Sequence, residues 1–308
     1  MKKKILVTGA AGFIGSNLAN FFVKKKYEVW TIDNLSTGDL KNLNKNIIFI
    51  NGDCSNKKTI KKLKNNNFQY IFHFAGQSSG EISFENPCKD FKSNVQSTIY
   101  LAEYALKNQC KKFFYASSMS VYGDACIGKS KESDKCNPLS FYGIGKLTSE
   151  NYLMKYRKKG LNPVILRFFN VYGPNQNFSN LKQGMISIYL AQILNSKKLF
   201  IKGSLNRFRD FIYIDDAIDA ITNLCKKNTK MYPIINIGTG KKTTIKQLIG
   251  IISKIINKDI KLKIISGTID DQFGVYANTK ILQKHYNFKA KTNLNLGIKK
   301  FIDWKINN

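Results

Sequence analysis

The chain has 308 residues, of which 43% are hydrophobic and 23% charged, so it is not a mainly disordered protein and has room for one large domain or two. Its 50 Lys and Arg against 20 Asp and Glu give a formal net charge of +30, which first suggests a nucleic acid or an anionic membrane as partner. Only four of the 50 are Arg, and the lysines are scattered, whereas nucleic-acid-binding proteins concentrate their cations and use Arg forks. We therefore predict no nucleic-acid partner and interpret the lysines as a coding bias at solvated positions.

Cysteine and histidine usage gives no sign of a metal site. Six Cys show no C-x-x-C pair and only two His are present, so neither a metal site nor a disulfide framework is predicted. The first residues superficially resemble a signal peptide, but Gly9, Gly12 and Gly15 interrupt the apolar stretch, and no run approaches the length that spans a bilayer. We therefore expect a cytoplasmic protein with reduced thiols and no membrane partner.

Short apolar runs alternate with longer amphipathic segments through the first two thirds of the chain. The runs predict strands over residues 5–7, 29–32, 47–50, 70–74, 112–116 and 164–168. The segments between them predict helices over residues 16–25, 57–65, 87–107 and 142–158. This alternation indicates βαβ units, and hence an α/β fold with a Rossmann-type, doubly wound parallel sheet.

The alternation of short apolar runs and amphipathic segments ends after Pro174. A helix over 181–194 and a strand over 199–201 precede a mixed tail, which predicts a smaller mixed C-terminal lobe. We assign residues 1–170 to the Rossmann domain, with 208–230 returning to it, and residues 171–207 and 231–308 to the smaller lobe. No repeat or flexible linker separates them, so we expect an extensive interface.

The first predicted strand leads into a glycine-rich turn and then a helix. Gly9, Gly12 and Gly15 have the G-x-x-G-x-x-G spacing of a dinucleotide loop, in which a pyrophosphate binds N–H groups at the helix N-terminus. Asp33 ends the second strand, where a carboxylate accepts hydrogen bonds from ribose hydroxyls and repels a 2′-phosphate. The pattern therefore predicts NAD rather than NADP. Asp53, after the third strand, is either an adenine contact or a turn residue.

Two segments carry the predicted chemistry. Tyr142 and Lys146 are four residues apart and share a helix face, where the cation would lower the pKa of the phenol and make it a base. Ser118 follows the fifth strand, at the carboxyl edge where parallel sheets place their sites. His73, at the end of the fourth strand, is interpreted as a core histidine without a chemical role.

Eight ordered motifs resemble one family over nearly the whole chain. They are TGAAGFIG at 8–15, DNLSTG at 33–38, HFAGQ at 73–77, SSMSVYG at 117–123, YGIGK at 142–146, RFFNVYGP at 167–174, RDFIYIDD at 209–216 and NIGTG at 236–240. The chain thus resembles the extended short-chain dehydrogenase/reductases, specifically the NAD-dependent nucleotide-sugar epimerases and dehydratases, and among them the UDP-sugar 4-epimerases. The resemblance implies that the Rossmann domain binds NAD and that the smaller lobe binds a nucleotide sugar.

The resemblance also implies residue roles. Tyr142 would be the catalytic base, Lys146 would bind the nicotinamide ribose, and Ser118 would hydrogen-bond the reacting sugar hydroxyl. The expected cofactor contacts are Gly9, Gly12, Phe13, Ile14, Gly15, Asp33, Asn34, Ser36, Thr37, Gly38, Asp53, Cys54, Phe74, Ala75, Gly76, Asn94, Tyr142 and Lys146. The expected substrate contacts are Ser78, Ser118, Tyr142, Asn170, Arg209 and Asp271, with Arg209 clamping the diphosphate. Arg167 and Arg207 also fall in or beside these motifs and are expected at the diphosphate.

Residues 119 and 120 distinguish the reactions of the family. Its dehydratases and decarboxylases carry an acidic residue at the position of Ser120, and its 3,5-epimerases carry Cys there, whereas Met119 and Ser120 are poor proton carriers. We therefore predict C4 epimerisation, in which Tyr142 takes the C4 hydroxyl proton, hydride passes to NAD, and the 4-keto sugar takes it back on its other face. The alternatives are a 2-epimerase, a dehydratase, a keto-sugar reductase, or a non-catalytic NAD-holding or basic binding protein.

The identity of the sugar depends on less specific positions. UDP-glucose and UDP-galactose or their N-acetyl analogues are expected, although Thr268 stands where the family usually has an Arg, and Asp271 is either a substrate contact or a turn residue. If Val275 is the gate near C2 of the sugar, an N-acetyl group fits, and if Tyr276 is the gate, it does not. The resemblance further suggests a homodimer formed by the helix with Tyr142 and the helix over 90–107.

Overall fold

The computed structural model describes residues 2–124, 127–196, 198–267 and 272–307. The strands are β1 (Lys4–Thr8), β2 (Glu28–Asp33), β3 (Ile48–Asn51), β4 (Tyr70–His73), β5 (Lys112–Ser118), β6 (Gly128–Ser130), β7 (Pro163–Phe168), β8 (Asn170–Tyr172), β9 (Lys198–Lys202), β10 (Phe208–Arg209), β11 (Phe211–Tyr213), β12 (Ile234–Ile237), β13 (Thr243–Thr244), β14 (Lys261–Ile265) and β15 (Val275–Ala277). The helices are α1 (Phe13–Lys24), α2 (Lys57–Lys61), α3 (Gly80–Glu85), α4 (Pro87–Phe91), α5 (Ser97–Lys107), α6 (Phe141–Lys158), α7 (Met185–Ser196), α8 (Ile214–Lys226), α9 (Ile245–Ile256), α10 (Lys280–Tyr286) and α11 (Leu294–Ile306).

Seven strands form one parallel sheet in the order β3-β2-β1-β4-β5-β7-β12. The strand order reverses between β1 and β4, and such a switch point opens a crevice at the carboxyl ends of the strands. Alternate residues of β1 face opposite sides: Ile5 and Val7 pack in one apolar cluster, and Leu6 packs in the other. Helices α1 and α8 cover the first side, and α2, α5 and α6 cover the second. The predicted fold class, a doubly wound parallel sheet, is confirmed.

Two predicted helices differ from the observed ones. The helix predicted to begin at residue 181 begins at Met185, because Gly184 has a φ of +85° that a right-handed helix does not contain. The helix predicted over 87–107 contains a π-helical turn, Lys92–Gln96, between α4 and α5. The wide turn is stabilised by two hydroxyls, Thr98 Oγ1 and Ser149 Oγ, which both donate to the Asn94 carbonyl.

The remaining strands form two-stranded sheets beside the main one: β8 with β11, β9 with β14, β10 with β13, and β6 with β15. Helices α7, α9 and α11 bury side chains in the same apolar cluster as α1 and α8, so the core is continuous between the lobes. Strand β12 lies in the range predicted for the smaller lobe but pairs with β7 at the edge of the main sheet. A four-residue apolar run does not by itself show which sheet it joins. Within the described residues, no helix combines the length and apolar character needed to cross a bilayer.

A buried ion pair joins α6 to the sheet. On β7, Arg167 donates from Nε to Glu150 Oε1 at 3.0 Å and from a terminal nitrogen to Glu150 Oε2 at 2.7 Å. Ser117 Oγ on β5 donates to the same carboxylate at 2.5 Å. The expectation that Arg167 lies at the diphosphate is therefore wrong. The planar guanidinium of Arg167 makes two parallel hydrogen bonds to the Glu150 carboxylate, and a Lys ammonium cannot make such a bidentate contact.

The ion pair leads to a stability prediction. Arg167→Leu leaves the Glu150 carboxylate buried without a cation, so we expect the free energy of unfolding in urea to fall by about 3–5 kcal/mol. Arg157→Leu is the matched control, because Arg157 is exposed near the end of α6, the helix that carries Glu150. It should change the free energy of unfolding by less than about 0.5 kcal/mol. Equal losses for the two variants would contradict this account of how α6 is held.

Candidate active site

A cleft of about 1140 Å³ lies at the carboxyl ends of β1, β2, β4 and β5. Most of the predicted cofactor residues line it: Gly9, Gly12, Phe13, Ile14, Gly15, Asp33, Asn34, Ser36, Thr37, Asp53, Cys54, Phe74, Ala75, Gly76, Tyr142 and Lys146. Of the predicted substrate contacts, Ser78, Ser118 and Asn170 line the same cleft. The fold thus brings the two predicted groups, cofactor and substrate residues, to one continuous surface.

The glycine loop is shaped as a cradle for a phosphate group. Gly9 has a φ of +67°, and a Cβ built on Gly15 would lie 2.1 Å from the Gly9 carbonyl oxygen, so a side chain fits at neither position. Helix α1 begins at Phe13 after Gly12, with no side chain capping its first N–H groups. Exposed amides at a helix N-terminus that faces the cleft are suited to a pyrophosphate.

Asp33 joins the loop after β2 to the glycine loop after β1. Its Oδ2 accepts the Ala11 N–H at 2.9 Å and its Oδ1 accepts the Leu35 N–H at 2.8 Å. Gly38 does not line the cleft but packs on Ala11, where a Cβ would lie 2.6 Å from the Ala11 carbonyl carbon. Each carboxylate oxygen of Asp33 keeps acceptor capacity for a ribose hydroxyl.

At the ends of β3 and β4, Asp53 and His73 form hydrogen bonds within the protein. Asp53 Oδ1 accepts the Ser55 N–H at 2.7 Å, the geometry of a turn residue, although its side chain also borders the cleft. His73 is fully buried, with Nδ1 2.8 Å from Thr8 Oγ1 and Nε2 3.1 Å from Thr98 Oγ1. Burial lowers the pKa of His73 to about 3, so it is a neutral core histidine, as predicted.

Tyr142 and Lys146 lie one turn apart on α6, and Ser118 lies opposite. The Lys146 ammonium is 5.7 Å from the centroid of the Tyr142 ring and 5.0 Å from that of Tyr115. Ser118 Oγ donates to Ser120 Oγ at 3.1 Å, and the Ser118 hydroxyl is near enough to the Tyr142 phenol to lower its pKa. The three residues predicted to be catalytic therefore form one cluster.

The pKa values of this pair differ from the expectation. Burial raises the pKa of Tyr142 to about 12, against the lowering expected from the cation, and it lowers the pKa of Lys146 to about 8. The nearby Ser118 hydroxyl lowers the pKa of Tyr142, whereas the charge of Asp90 raises it. The phenol is thus protonated in the protein alone and needs additional positive charge to act as a base at neutral pH.

A buried amide and carboxylate group lies beneath the cleft. A Cβ on Gly76 would lie 2.4 Å from Asn94 Oδ1 and 3.4 Å from the Lys146 ammonium, so both polar groups face the cleft floor at Gly76. Among the described residues, no donor is within hydrogen-bonding distance of the buried Asn94 Oδ1. An acceptor left open at this point fits a donor on the nicotinamide side of the cofactor.

Asp90 and Gln77, which hold Asn94, were not predicted from the sequence. Asp90 Oδ1 accepts the Asn94 amide at 3.0 Å and the Gln77 amide at 2.9 Å. The four-residue spacing of Asp90 and Asn94 on a helix was the available signal. The contribution of Gln77 depends on tertiary contacts and had no local signature.

No carboxylate of the described residues lines the sugar end of the cleft. Asn170 donates from Nδ2 to the Asp210 carbonyl at 3.1 Å and lies 3.4 Å from the Met119 sulfur. Among the described residues that line the cleft, the carboxylates are Asp33, Asp39 and Asp53, which all belong to the loops after β2 and β3. No described carboxylate therefore borders the cleft beside Ser118 and Tyr142.

Arg209 is not at the cleft wall that the other predicted residues form. Its guanidinium donates to the carbonyls of Phe208 and Gln272, both at 2.8 Å, and burial lowers its pKa to about 10. Asp271 and Thr268 lie outside the described residues. Val275 is fully buried in an apolar cluster with Tyr122 and Phe169, and neither Val275 nor Tyr276 lines the cleft.

A short helix, α3, connects the two lobes across the cleft. Glu85 pairs with Lys182 at 2.5 Å, and Glu81 pairs with Lys202. Just before α3, Ser78 Oγ accepts a hydrogen bond from Gln183 Nε2 at 2.5 Å. The segment 175–180, which also lines the cleft, was missed because a polar loop shows no periodicity.

The family model described as the NAD dependent epimerase/dehydratase family matches residues 5–238. A protein of Methanocaldococcus jannaschii named "Putative UDP-glucose 4-epimerase" is 35% identical over 306 residues, which cover 99% of each chain. The solved structure of the Thermotoga maritima UDP-glucose 4-epimerase with UDP-glucose has 30% identity and a TM-score of 0.94, covering 99% of each chain. The UDP-N-acetylglucosamine 4-epimerase of Methanobrevibacter ruminantium has 30% identity and a TM-score of 0.92, covering 100% of this chain and 99% of that one.

Two helical glycines provide a matched test of the cradle. Gly15→Ala places a methyl group against the Gly9 carbonyl, so we expect lower thermal stability and loss of NAD from an acid extract of the purified protein. Gly250→Ala, on α9, meets no atom within 4 Å and should stabilise the protein by up to about 1 kcal/mol with its NAD retained. A Gly15→Ala protein that behaves like the control would refute the role of this close approach.

Proposed function

The chain belongs to the NAD-dependent epimerase/dehydratase family, and on that premise we propose that it epimerises a nucleotide-activated hexose at C4. Its cofactor is NAD. The observation that carries the proposal is the wall around Ser118 and Tyr142, where Met119, Ser120 and Asn170 carry no carboxylate. Such a wall suits a reaction that needs one base and no second proton carrier.

The roles of the residues follow from their positions. Tyr142 accepts the proton of the C4 hydroxyl, and Ser118, whose hydroxyl lowers the pKa of the phenol, hydrogen-bonds that sugar hydroxyl. Lys146, as an ammonium, stabilises the phenolate and binds the nicotinamide ribose. When bound, NAD would accept hydride from the sugar and return it, and its oxidised form would add positive charge to the site. The resulting 4-keto sugar must then present its other face before it is reduced.

A dehydratase is disfavoured by the same wall. Elimination of water requires a group that removes the C5 proton and a donor for the departing hydroxyl. Met119 carries no transferable proton, and the Ser120 hydroxyl, which accepts a hydrogen bond from Ser118, is a poor base. Epimerisation at C4 returns the hydride to C4 and the proton to the oxygen that C4 carries, so it needs neither group.

The nucleotide and sugar are proposed from the relatives. Similar proteins are named as acting on UDP-glucose and on UDP-N-acetylglucosamine, so a UDP-hexose is the proposed substrate class. Whether glucose and galactose or their N-acetyl analogues are used depends on the space beside the sugar, where Ser78 and Gln183 lie.

We also propose that two copies associate through α4 and α6. Four large apolar side chains there are more than two fifths exposed: Phe91, Phe141, Ile144 and Tyr152. Ile144 and Tyr152 are eight residues apart and therefore lie on one face of α6. An exposed apolar face of this kind is typical of an interface between copies.

Epimerisation should be detectable without added cofactor. Purified protein is mixed with UDP-, GDP-, CDP- and dTDP-hexoses, and formation of the C4 epimer is measured by proton NMR. We expect one UDP-hexose to be converted. Tyr142→Phe should lower the rate by at least about 10³-fold, because the base is lost. Tyr156→Phe, farther along the same helix, should retain activity. If no sugar of the panel is converted, or if the Tyr142→Phe protein keeps full activity, the proposal fails.

The proposed association can be tested at Ile144. Ile144→Glu puts a carboxylate into the apolar face of each copy, so light scattering should show a change from twice the mass of one chain to a single chain. Leu262→Glu, at a similarly exposed apolar position on β14, should leave the mass unchanged. A wild-type protein with the mass of one chain would argue against the interface.

A further inference from the structure

Asp90 is a buried carboxylate that the roles assigned so far do not use. Its side chain is 2% exposed and lies on α4 beneath the cleft floor. Both hydrogen bonds to its Oδ1 come from neutral amides, those of Gln77 and Asn94. Among the described residues, no Lys or Arg nitrogen forms an ion pair with it. A buried charge retained with only amide partners is costly and calls for a further role.

The second oxygen of Asp90 faces the catalytic helix. A Cβ built on Gly145 would lie 3.1 Å from Asp90 Oδ2, so α6 passes closest to this oxygen within the turn between Tyr142 and Lys146. A larger residue at position 145 would separate the two elements. The negative charge is therefore held against the part of α6 that carries both catalytic groups.

The other groups around Lys146 provide less unpaired negative charge than Asp90 does. Glu150, one turn along α6, is bound by the guanidinium of Arg167. His73 is neutral, because burial lowers its pKa to about 3, and burial raises the pKa of Tyr115, so its phenol is also neutral. Among these groups, Asp90 is thus the negative charge that forms no ion pair with a described Lys or Arg.

We propose that Asp90 is a positioning residue for the C4 reaction: its carboxylate keeps Lys146 as an ammonium and turns the Asn94 amide so that Asn94 Oδ1 faces the cleft at Gly76. The proposal rests on the proposed function for the reaction that it serves. The Asn94 amide is oriented because its nitrogen donates to Asp90 Oδ1 and to the Gln77 carbonyl, both at 3.0 Å. Its oxygen is thereby left to the cofactor.

The charge of Asp90 acts on both catalytic groups in a defined direction. It raises the pKa of Lys146, against the burial that lowers it to about 8, and it raises the pKa of Tyr142. Removing the charge therefore lowers both pKa values. Lys146 would lose its proton at lower pH, and the Tyr142 phenolate would also form at lower pH, so both limbs of a pH–rate profile should move in the acid direction together.

The first experiment needs no substrate. The rate at which acetic anhydride labels the Lys146 amine is measured against pH by mass spectrometry of the Lys146 peptide, in the NAD-containing protein. Its midpoint should lie about one pH unit lower in Asp90→Asn, which keeps the acceptor and removes the charge, than in the wild type. Asp219→Asn, at an exposed position on α8 outside the cleft, is the control and should not move it. Equal midpoints in the two variants would overturn the proposal.

Two further measurements separate the roles of Asp90. Asp90→Leu removes the acceptor as well as the charge and should lose NAD, measured in an acid extract, whereas Asp90→Asn should keep it. Asp90→Ser, which is neutral and smaller, replaces Asp90→Asn if the latter does not unfold cooperatively. A purely structural role would lower the rate without moving either limb of the pH–rate profile, and that result would also overturn the proposal.

The outcome is independent of the substrate assignment. If the wild type converts no sugar of the panel and the labelling midpoint still falls in Asp90→Asn, the proposed function is wrong and the role of Asp90 toward Lys146 stands. If the sugar is converted and the midpoint does not move, the role of Asp90 is wrong and the proposed function stands.

Discussion

The contact of α6 with the carboxyl ends of β5 and β7 determines the geometry of the site, and a buried carboxylate secures it. Glu150 is bound by Arg167 from β7 and by Ser117 from β5, and it lies one helical turn from Lys146. Ser117 immediately precedes Ser118 in the chain, so the same contact fixes the hydroxyl and the ammonium relative to each other. The strength of this bidentate pair in a dry environment is what allows a base, a cation and a hydroxyl from separate elements to meet.

Charge is distributed unevenly along the cleft. The described carboxylates that line it belong to the adenosine end, the cation beside Tyr142 is Lys146, and the buried carboxylates Asp90 and Glu150 lie behind the walls. In a site of low polarity, each charge behind a wall acts over a longer distance than it would in water. Asp90 and Glu150 do not line the cleft, and both act on Lys146 from behind its wall.

The parts of the site that could be predicted are those whose determinants are neighbours in sequence. The glycine loop, Asp33 and the pair Tyr142 and Lys146 depend on local turn geometry or on a helical period, which the sequence displays directly. The partner of Arg167 could not be predicted, because a planar fork suits a protein carboxylate as well as a diphosphate. The pairing of the edge strand β12 with β7 could not be predicted either, because it depends on the whole fold.

The path of the chain between the lobes limits how the sequence of such a protein can diverge. After β7 the chain enters the smaller lobe, returns with α8 to pack on α1, and returns again with β12 to complete the sheet edge. A fragment that ends near residue 170 lacks both elements, and the segments that remain share one core with the sheet they would leave. Neither lobe is therefore a transferable module. Divergence in the sugar that is accepted has to proceed through single loops at the cleft, each altered in place while the interleaved scaffold is inherited whole.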